Sequence, residues 1–237
     1  MCMSLTYTQI IDLIDDTVKT NSTSYTSADK TRDVNLALDR ALALIFQAGG
    51  TWQFDDSNHT DYPIITTNLV SGQRDYSFTT DGSSNLVLEI YRVMAADQQG
   101  NYYDISPIDA STWQAPSNYA DGRNTGGIPT SYDKLGNGIF LDPIPNYNYT
   151  AGLKIYINRE GSYFTTSDTT KKPGIAGLFH EYLALRPSYQ YAFRNQLPNA
   201  NVLKAEMLEM EAAMQEHYKS RAKDETKVMR ALSSCSR

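Results

Sequence analysis

A chain of 237 residues with 41% apolar and 20% charged side chains can bury a full core as one large unit or two small ones, and that composition is ordinary for a folded protein. It contains no apolar run of about eighteen residues, so no membrane-spanning helix is expected. Its net charge of −6 argues against wrapping nucleic acid, which takes clustered Lys and Arg to displace counterions.

Residues 1–5 lack the basic segment and apolar stretch of a signal peptide, which places the protein in a reducing cytoplasm. Its two cysteines, Cys2 and Cys235, are at the extreme ends and make a disulfide framework or a cysteine metal site unexpected. Thr6 followed three residues later by Gln9 is a capping-box pattern. Ile10, Ile11, Ile14 and Val18 then recur at helical spacing, so a first helix is expected over 7–19. Residues 21–27 are polar and aperiodic, a loop. A second helix is expected over 28–48, with Val34, Leu38, Leu42 and Ile45 inward, Gly49-Gly50 ending it, and Trp52 and Phe54 packed under its end.

From Pro63 the pattern changes to alternation punctuated by Gly, Asn, Asp and Pro. Segments 64–70 and 73–78 flank Ser71-Gly72, 86–95 and 102–105 flank 97–100, and 132–135 and 139–141 flank Gly136-Asn137-Gly138. Each pair reads as a hairpin, and 153–159 reads as a further strand. Eleven of the seventeen tyrosines lie between Tyr62 and Tyr163, as in a half-buried sheet. Residues 107–127 have no period of either kind. Long loops of this sort are functional or disordered, and Trp113 and Tyr119 make this one a candidate contact surface, with simple packing as the alternative.

Beyond Pro173 the pattern is helical again. Ala176, Phe179, His180, Leu183 and Ala184 share a face of a helix expected over 175–195, and Pro187 is expected to kink or break it. Pro198 then blocks continuation and Asn199 can cap a last helix over 199–223, roughly 36 Å long at about 1.5 Å rise per residue. Leu203, Met207, Met210, Met214 and Tyr218 form its apolar stripe, and Glu206, Glu209, Glu211, Glu216 and Lys219 fall mostly away from that stripe. Charge is ordered along the segment, acidic up to Tyr218 and basic from Lys219 on. That order suits the helix macrodipole. Neither terminal pair of helices is enough to bury its own stripes, so the two pairs are expected to pack together with the β region as an insertion.

Chemistry finds little support. His180-Glu181 begins like the zinc-protease helix motif, but Ala184 stands where the second ligand would be, so His180 is expected in a core or interface. His59 and His217 have no partner that a triad would need. Asp15-Asp16 and Asp55-Asp56 are adjacent pairs that do not face each other, read as a solvated turn and a loop. Residues 122–127 lack the spacing and the lysine of a phosphate loop. No catalytic residue, cofactor or metal ligand is expected.

The runs Gly127-Ile128-Pro129-Thr130-Ser131-Tyr132, Gly138-Ile139-Phe140-Leu141-Asp142-Pro143-Ile144-Pro145 and Leu153-Lys154-Ile155-Tyr156, followed by Pro173 and a helix bearing His180, resemble the head-to-tail adaptor proteins of tailed bacteriophages. These include the tail tubular A and head-completion adaptors of short-tailed phages. The resemblance implies an α+β fold in which an antiparallel helical bundle of N- and C-terminal helices carries an inserted antiparallel β-rich domain. The corresponding ranges are 1–60 and 165–223 for the bundle, 61–164 for the insertion and 224–237 for a flexible docking tail. It also implies a non-enzymatic virion protein, made in the host cytoplasm, that forms a ring of usually twelve copies below the portal protein and continues the DNA channel toward tail or nozzle proteins.

On that reading double-stranded DNA passes without specific binding, past a wall supplied by Glu206, Glu209 and Glu211. Residues 224–237 are polar and basic and lack apolar surface to fold alone, so they suit ordering on a partner. Lys223, Lys227 and Arg230 are expected on acidic portal residues, with Val228, Met229 and Leu232 in a groove. Two alternatives remain: a stopper, tail-completion or fibre-docking protein of the same particle, and a carbohydrate-binding or wall-degrading protein that stacks sugars on Trp113 and the tyrosines.

Overall fold

The computed structural model describes residues 4–49, 64–80, 84, 86–108, 126–136 and 138–221. The expected sites of Trp52, Phe54, Trp113 and Tyr119, and the tail from residue 222, lie outside them.

The chain opens with α1 (Tyr7–Val18), whose capping box is complete. The Thr6 amide donates to Gln9 Oε1 at 2.9 Å and the Gln9 amide donates to Thr6 Oγ1 at 3.5 Å. Two more of its first amides, those of Tyr7 and Thr8, reach the carbonyls of Lys171 and Thr169. The free donors of α1 therefore tie the start of the chain to the segment that leads into the last helices. Helix α2 (Ser27–Gly49) follows and buries Val34, Leu38, Leu42 and Ile45 as their spacing requires.

The middle of the chain folds as two four-stranded sheets. The first orders β1 (Ile64–Leu69), β8 (Tyr149–Arg159), β3 (Val87–Ala96) and β4 (Tyr102–Asp104); the second orders β2 (Asp75–Ser77), β7 (Gly138–Asp142), β6 (Ser131–Leu135) and β5 (Ser106–Pro107). All pairings are antiparallel except β5 with β6. Ile90 and Val93 lie opposite Ile157 and Ile155 in register. These four side chains, with Leu153, Ile139, Leu141 and Tyr132 among others, make one buried cluster fed by both sheets.

The hairpins β3–β4 and β6–β7 form as their turn residues predict. The hairpin expected around Ser71-Gly72 does not. Gly72 does occupy the left-handed region at φ +80°, and the Gln73 amide closes a turn on the Val70 carbonyl. However, the turn's other amides are claimed from outside, Ser71 N–H by Asn148 Oδ1 and Gly72 N–H by the Pro145 carbonyl. The two strands diverge, β1 to pair with β8 and β2 with β7.

Gly152 sits where β8 crosses under Leu69. A Cβ there would lie 2.9 Å from Leu69 Cδ1 and Cγ and 3.0 Å from the Tyr149 carbonyl, and Leu69 is fully buried. Gly152→Ala is therefore expected to destabilise the protein by about 1–3 kcal/mol through overpacking, read as a lower urea midpoint with an unchanged slope.

After β8 the chain returns to the helices. Asn35 of α2 clasps the returning chain with a reciprocal pair of bonds, donating to the Phe164 carbonyl and accepting from the Phe164 amide, both at 2.9 Å. The helix expected from residue 175 starts later: a 3-10 turn covers Gly177–Phe179 and α3 runs over Tyr182–Arg194. Pro187 lies inside α3 and the helix continues on both sides of it. Proline's missing donor forfeits one bond, to the Leu183 carbonyl. Tyr182, Leu183, Ala184, Leu185, Ser188 and Ala192 are all buried, so packing on several sides holds the helix that its local sequence disfavours.

Helix α4 (Ala200–Arg221) buries Leu203, Met207, Met214 and Tyr218, with Met210 partly buried. The expected side-chain cap is not made, since the buried Asn199 Oδ1 takes no hydrogen bond. One apolar cluster contains residues of all four helices together with Phe164 and Ile175. The opening and closing helices thus share a single core, separate from that of the sheets.

Candidate interaction surfaces

Polar groups stitch the helices before any remain for a partner. Asp33 is fully buried; it accepts from Tyr25 Oη at 2.6 Å, from Arg194 Nη1 at 3.0 Å and from Arg32 Nε at 3.2 Å. Asp15 is not the solvated turn residue its sequence context suggests, since it accepts from Lys30 Nζ at 2.6 Å and from Thr20 Oγ1 at 2.7 Å, and Lys30 is buried. His180 is fully buried. Its Nδ1 lies 3.0 Å from the Leu5 amide and 3.2 Å from the Leu5 carbonyl, and its Nε2 lies 3.0 Å from the Ile175 carbonyl, so the ring pins the start of the chain to the segment before α3. Among the described residues no group of three or more His, Cys, Asp or Glu could hold a metal ion.

Glu211 departs from its expected place. Its side chain is only 11% exposed and lies where α2, α3 and α4 meet. It accepts from Tyr182 Oη at 2.7 Å and from Arg40 Nε and Nη2 at 3.4 and 3.2 Å, and Arg186 Nη1 stands 3.6 Å away. Burial pushes its pKa up, but the hydrogen bonds from Arg40 and Tyr182 and the charges of both arginines outweigh that and leave it below the usual glutamate value. Glu211 is an internal ion-pair centre, and it leaves Glu206 and Glu209 as the exposed acids of the proposed wall. Residue 211 is four past Met207 and three before Met214, so the stripe itself contained the signal; the two arginines across from it did not show in the sequence.

Glu206 and Glu209 flank a groove of about 400 Å³ between the start of α3 and the middle of α4. Phe179, Leu185, Met210 and Ala213 give it apolar walls, Leu178 stands exposed at its edge, and Glu181 is a third acid on its rim. No lysine or arginine is among its described lining residues. A second groove, of about 460 Å³, runs along α2 beside Leu36 and Tyr163. Most of its polar groups are engaged internally, with Tyr163 Oη donating to Asp39 Oδ1 at 2.7 Å and Asn35 bonded to the Phe164 backbone.

Two aromatic rings of the first sheet are covered by its own cations. Arg92 lies 5.3 Å from the centre of the Tyr156 ring and Lys154 Nζ lies 3.7 Å from that of Tyr102. Arg92 also holds Asp104 in a two-pronged pair at 2.6 and 3.0 Å. Rings covered in this way are poor platforms for stacking sugars.

Of the residues singled out from the sequence, the structure therefore brings Glu206 and Glu209 together and sends Glu211 inward. Lys223, Lys227, Val228, Met229, Arg230, Leu232, Trp113 and Tyr119 lie outside the described residues. No curated protein matches the chain. Residues 5–232 match the SU10 adaptor protein family, a span that takes in every helix and strand described above, and the chain belongs to this family of bacteriophage structural adaptors.

Proposed function

We propose that the protein is a head-to-tail adaptor that forms a ring below the portal protein, extends the DNA channel and provides the attachment site for tail or nozzle proteins. The observation that carries this reading is the exposed face of α4, where Glu206 and Glu209, with Glu181 from the start of α3, edge an apolar groove with no lysine or arginine among its described lining residues. A conduit must let a duplex slide, and a wall of carboxylates offers phosphates nothing to hold. The core shared by all four helices makes a rigid base on which a different face can meet each neighbour, as a closed head-to-tail ring of identical subunits requires. The sheets, residues 61–164 of the proposed division, form an insertion carried by residues 1–60 and 165–223.

The ring is a dodecamer templated by the portal, and lone subunits stay monomeric. Residues 224–237 reach the portal, with Lys223, Lys227 and Arg230 on acidic side chains and Val228, Met229 and Leu232 in a groove. Co-sedimentation with purified portal is expected to show several copies bound per portal ring and none self-assembled without it. Failure to bind any portal of its own phage would overturn the reading. The channel wall has its own test: in assembled particles Glu206→Lys with Glu209→Lys is expected to slow DNA ejection about tenfold at low salt, an effect that added salt relieves. Unchanged ejection would remove these residues from the channel.

A further inference from the structure

The acid-rimmed groove beside α4 is half apolar and half anionic, a combination that selects its occupant. The floor of Phe179, Leu185, Met210 and Ala213 calls for apolar side chains, and the three rim carboxylates call for cations. Just past the described end of α4 the sequence supplies both, with Lys223, Lys227 and Arg230 interleaved with Val228, Met229 and Leu232. Reach allows it. Ala213 lies eight residues before Arg221, about 12 Å along the helix, while the seven residues from Arg221 to Val228 can span about 23 Å.

We propose that in the free subunit residues 223–232 fold back into this groove of their own chain, covering its apolar floor and neutralising Glu181, Glu206 and Glu209. Tethering favours the chain's own segment over a neighbour's, because the linker holds it at an effective concentration on the order of millimolar. The inference rests on the adaptor reading in one respect: the segment that fills the groove is the one assigned to the portal. The portal and the groove therefore compete for one segment. Portal binding withdraws the tail and uncovers the two acids of the channel wall in the same step, so a free subunit keeps its apolar face closed until it has a template.

The test is a disulfide trap in the full-length chain. In a Cys2→Ser, Cys235→Ser background, Ala213→Cys is paired with Met229→Cys, and the same tail cysteine is paired with Leu36→Cys in the second groove as a control. Both body positions are exposed, so folding is not at risk. At dilute concentration the groove pair is expected to close within one chain at least tenfold faster than the control pair, and Glu206→Lys with Glu209→Lys is expected to remove that advantage. Equal rates for the two pairs, or disulfides formed between chains instead, would overturn the proposal. Added portal should slow the trap. If trapping is fast and portal leaves it unchanged, the groove proposal stands and the assignment of the tail to the portal fails.

Discussion

Deleting residues 224–237 is expected to abolish attachment to the portal while the helices and sheets stay folded. The segment is polar and basic, with too little apolar surface to form a core by itself, and the two buried clusters are built among residues 5–218. Its removal should cost the fold no more than the tail's own docking, about 1–2 kcal/mol, or roughly 2–8 °C in thermal midpoint for a chain of this size. Binding is another matter. The deletion removes Lys227 and Arg230 with Val228, Met229 and Leu232, and two cations and three apolar side chains acting at one interface supply roughly 3 kcal/mol or more, about a hundredfold in affinity. Co-sedimentation with portal reads that loss, and calorimetry of the truncated protein checks the fold. Undiminished attachment would move the portal contact elsewhere on the molecule. The truncated protein should also bind more of an apolar dye, because the groove beside α4 would lose its cover.

The largest expected loss of stability comes from Glu211. Removing one member of a buried ion-pair cluster leaves its partners unsatisfied, and such losses run to about 3–5 kcal/mol. Arg40 is 42% exposed and Arg186 25% exposed, so water can partly re-solvate them and the lower end applies. Glu211→Ala should therefore lower the thermal midpoint by about 5–10 °C, more than any other single substitution of an acid on α4. The sign of the pH dependence follows from the depressed pKa of Glu211. Its stabilisation is fully present above the ordinary glutamate value of about 4.3 and is lost as pH falls through the lower, folded-state value. Thermal midpoints measured between pH 6 and pH 3 should fall more steeply for the natural protein than for Glu211→Gln. Parallel curves would show that Arg40 and Arg186 do not depend on this carboxylate.

Local rules made much of the fold legible. Thr6 and Gln9 marked the start of the first helix to the residue, because a capping box is built from side chains three positions apart. The turns at 97–100 and 136–138 marked two hairpins because their strands pair with their sequence neighbours. Ser71-Gly72 looked the same and misled: the turn forms, but the strand that pairs with β1 comes from residues eighty or more further on, and no local pattern encodes that partner. Pro187 does not break its helix, for a related reason. That helix is buried on several sides, and tertiary packing outweighs one missing hydrogen bond.

The candidate surfaces divide in the same way. Glu206 and Glu209 were legible as exposed acids because polar positions off a stripe face outward. Glu211 was grouped with them by residue type, although its position in the stripe pointed inward. Its reason for being buried lies on α2 and α3, in Arg40, Tyr182 and Arg186, far away in the chain. The groove could not be read at all, because it exists only where the 3-10 turn and α3 lie against α4.

The central claim is that one helical core, closed by the two ends of the chain, serves as the repeating unit of a ring on a portal. Electron microscopy of the full-length protein mixed with purified portal tests it most directly. The account predicts a symmetric ring of twelve copies on the tail-facing side, with α4 and its acids toward the channel. Portals that stay bare, or that carry isolated copies with α4 buried against the neighbouring subunit, would contradict it.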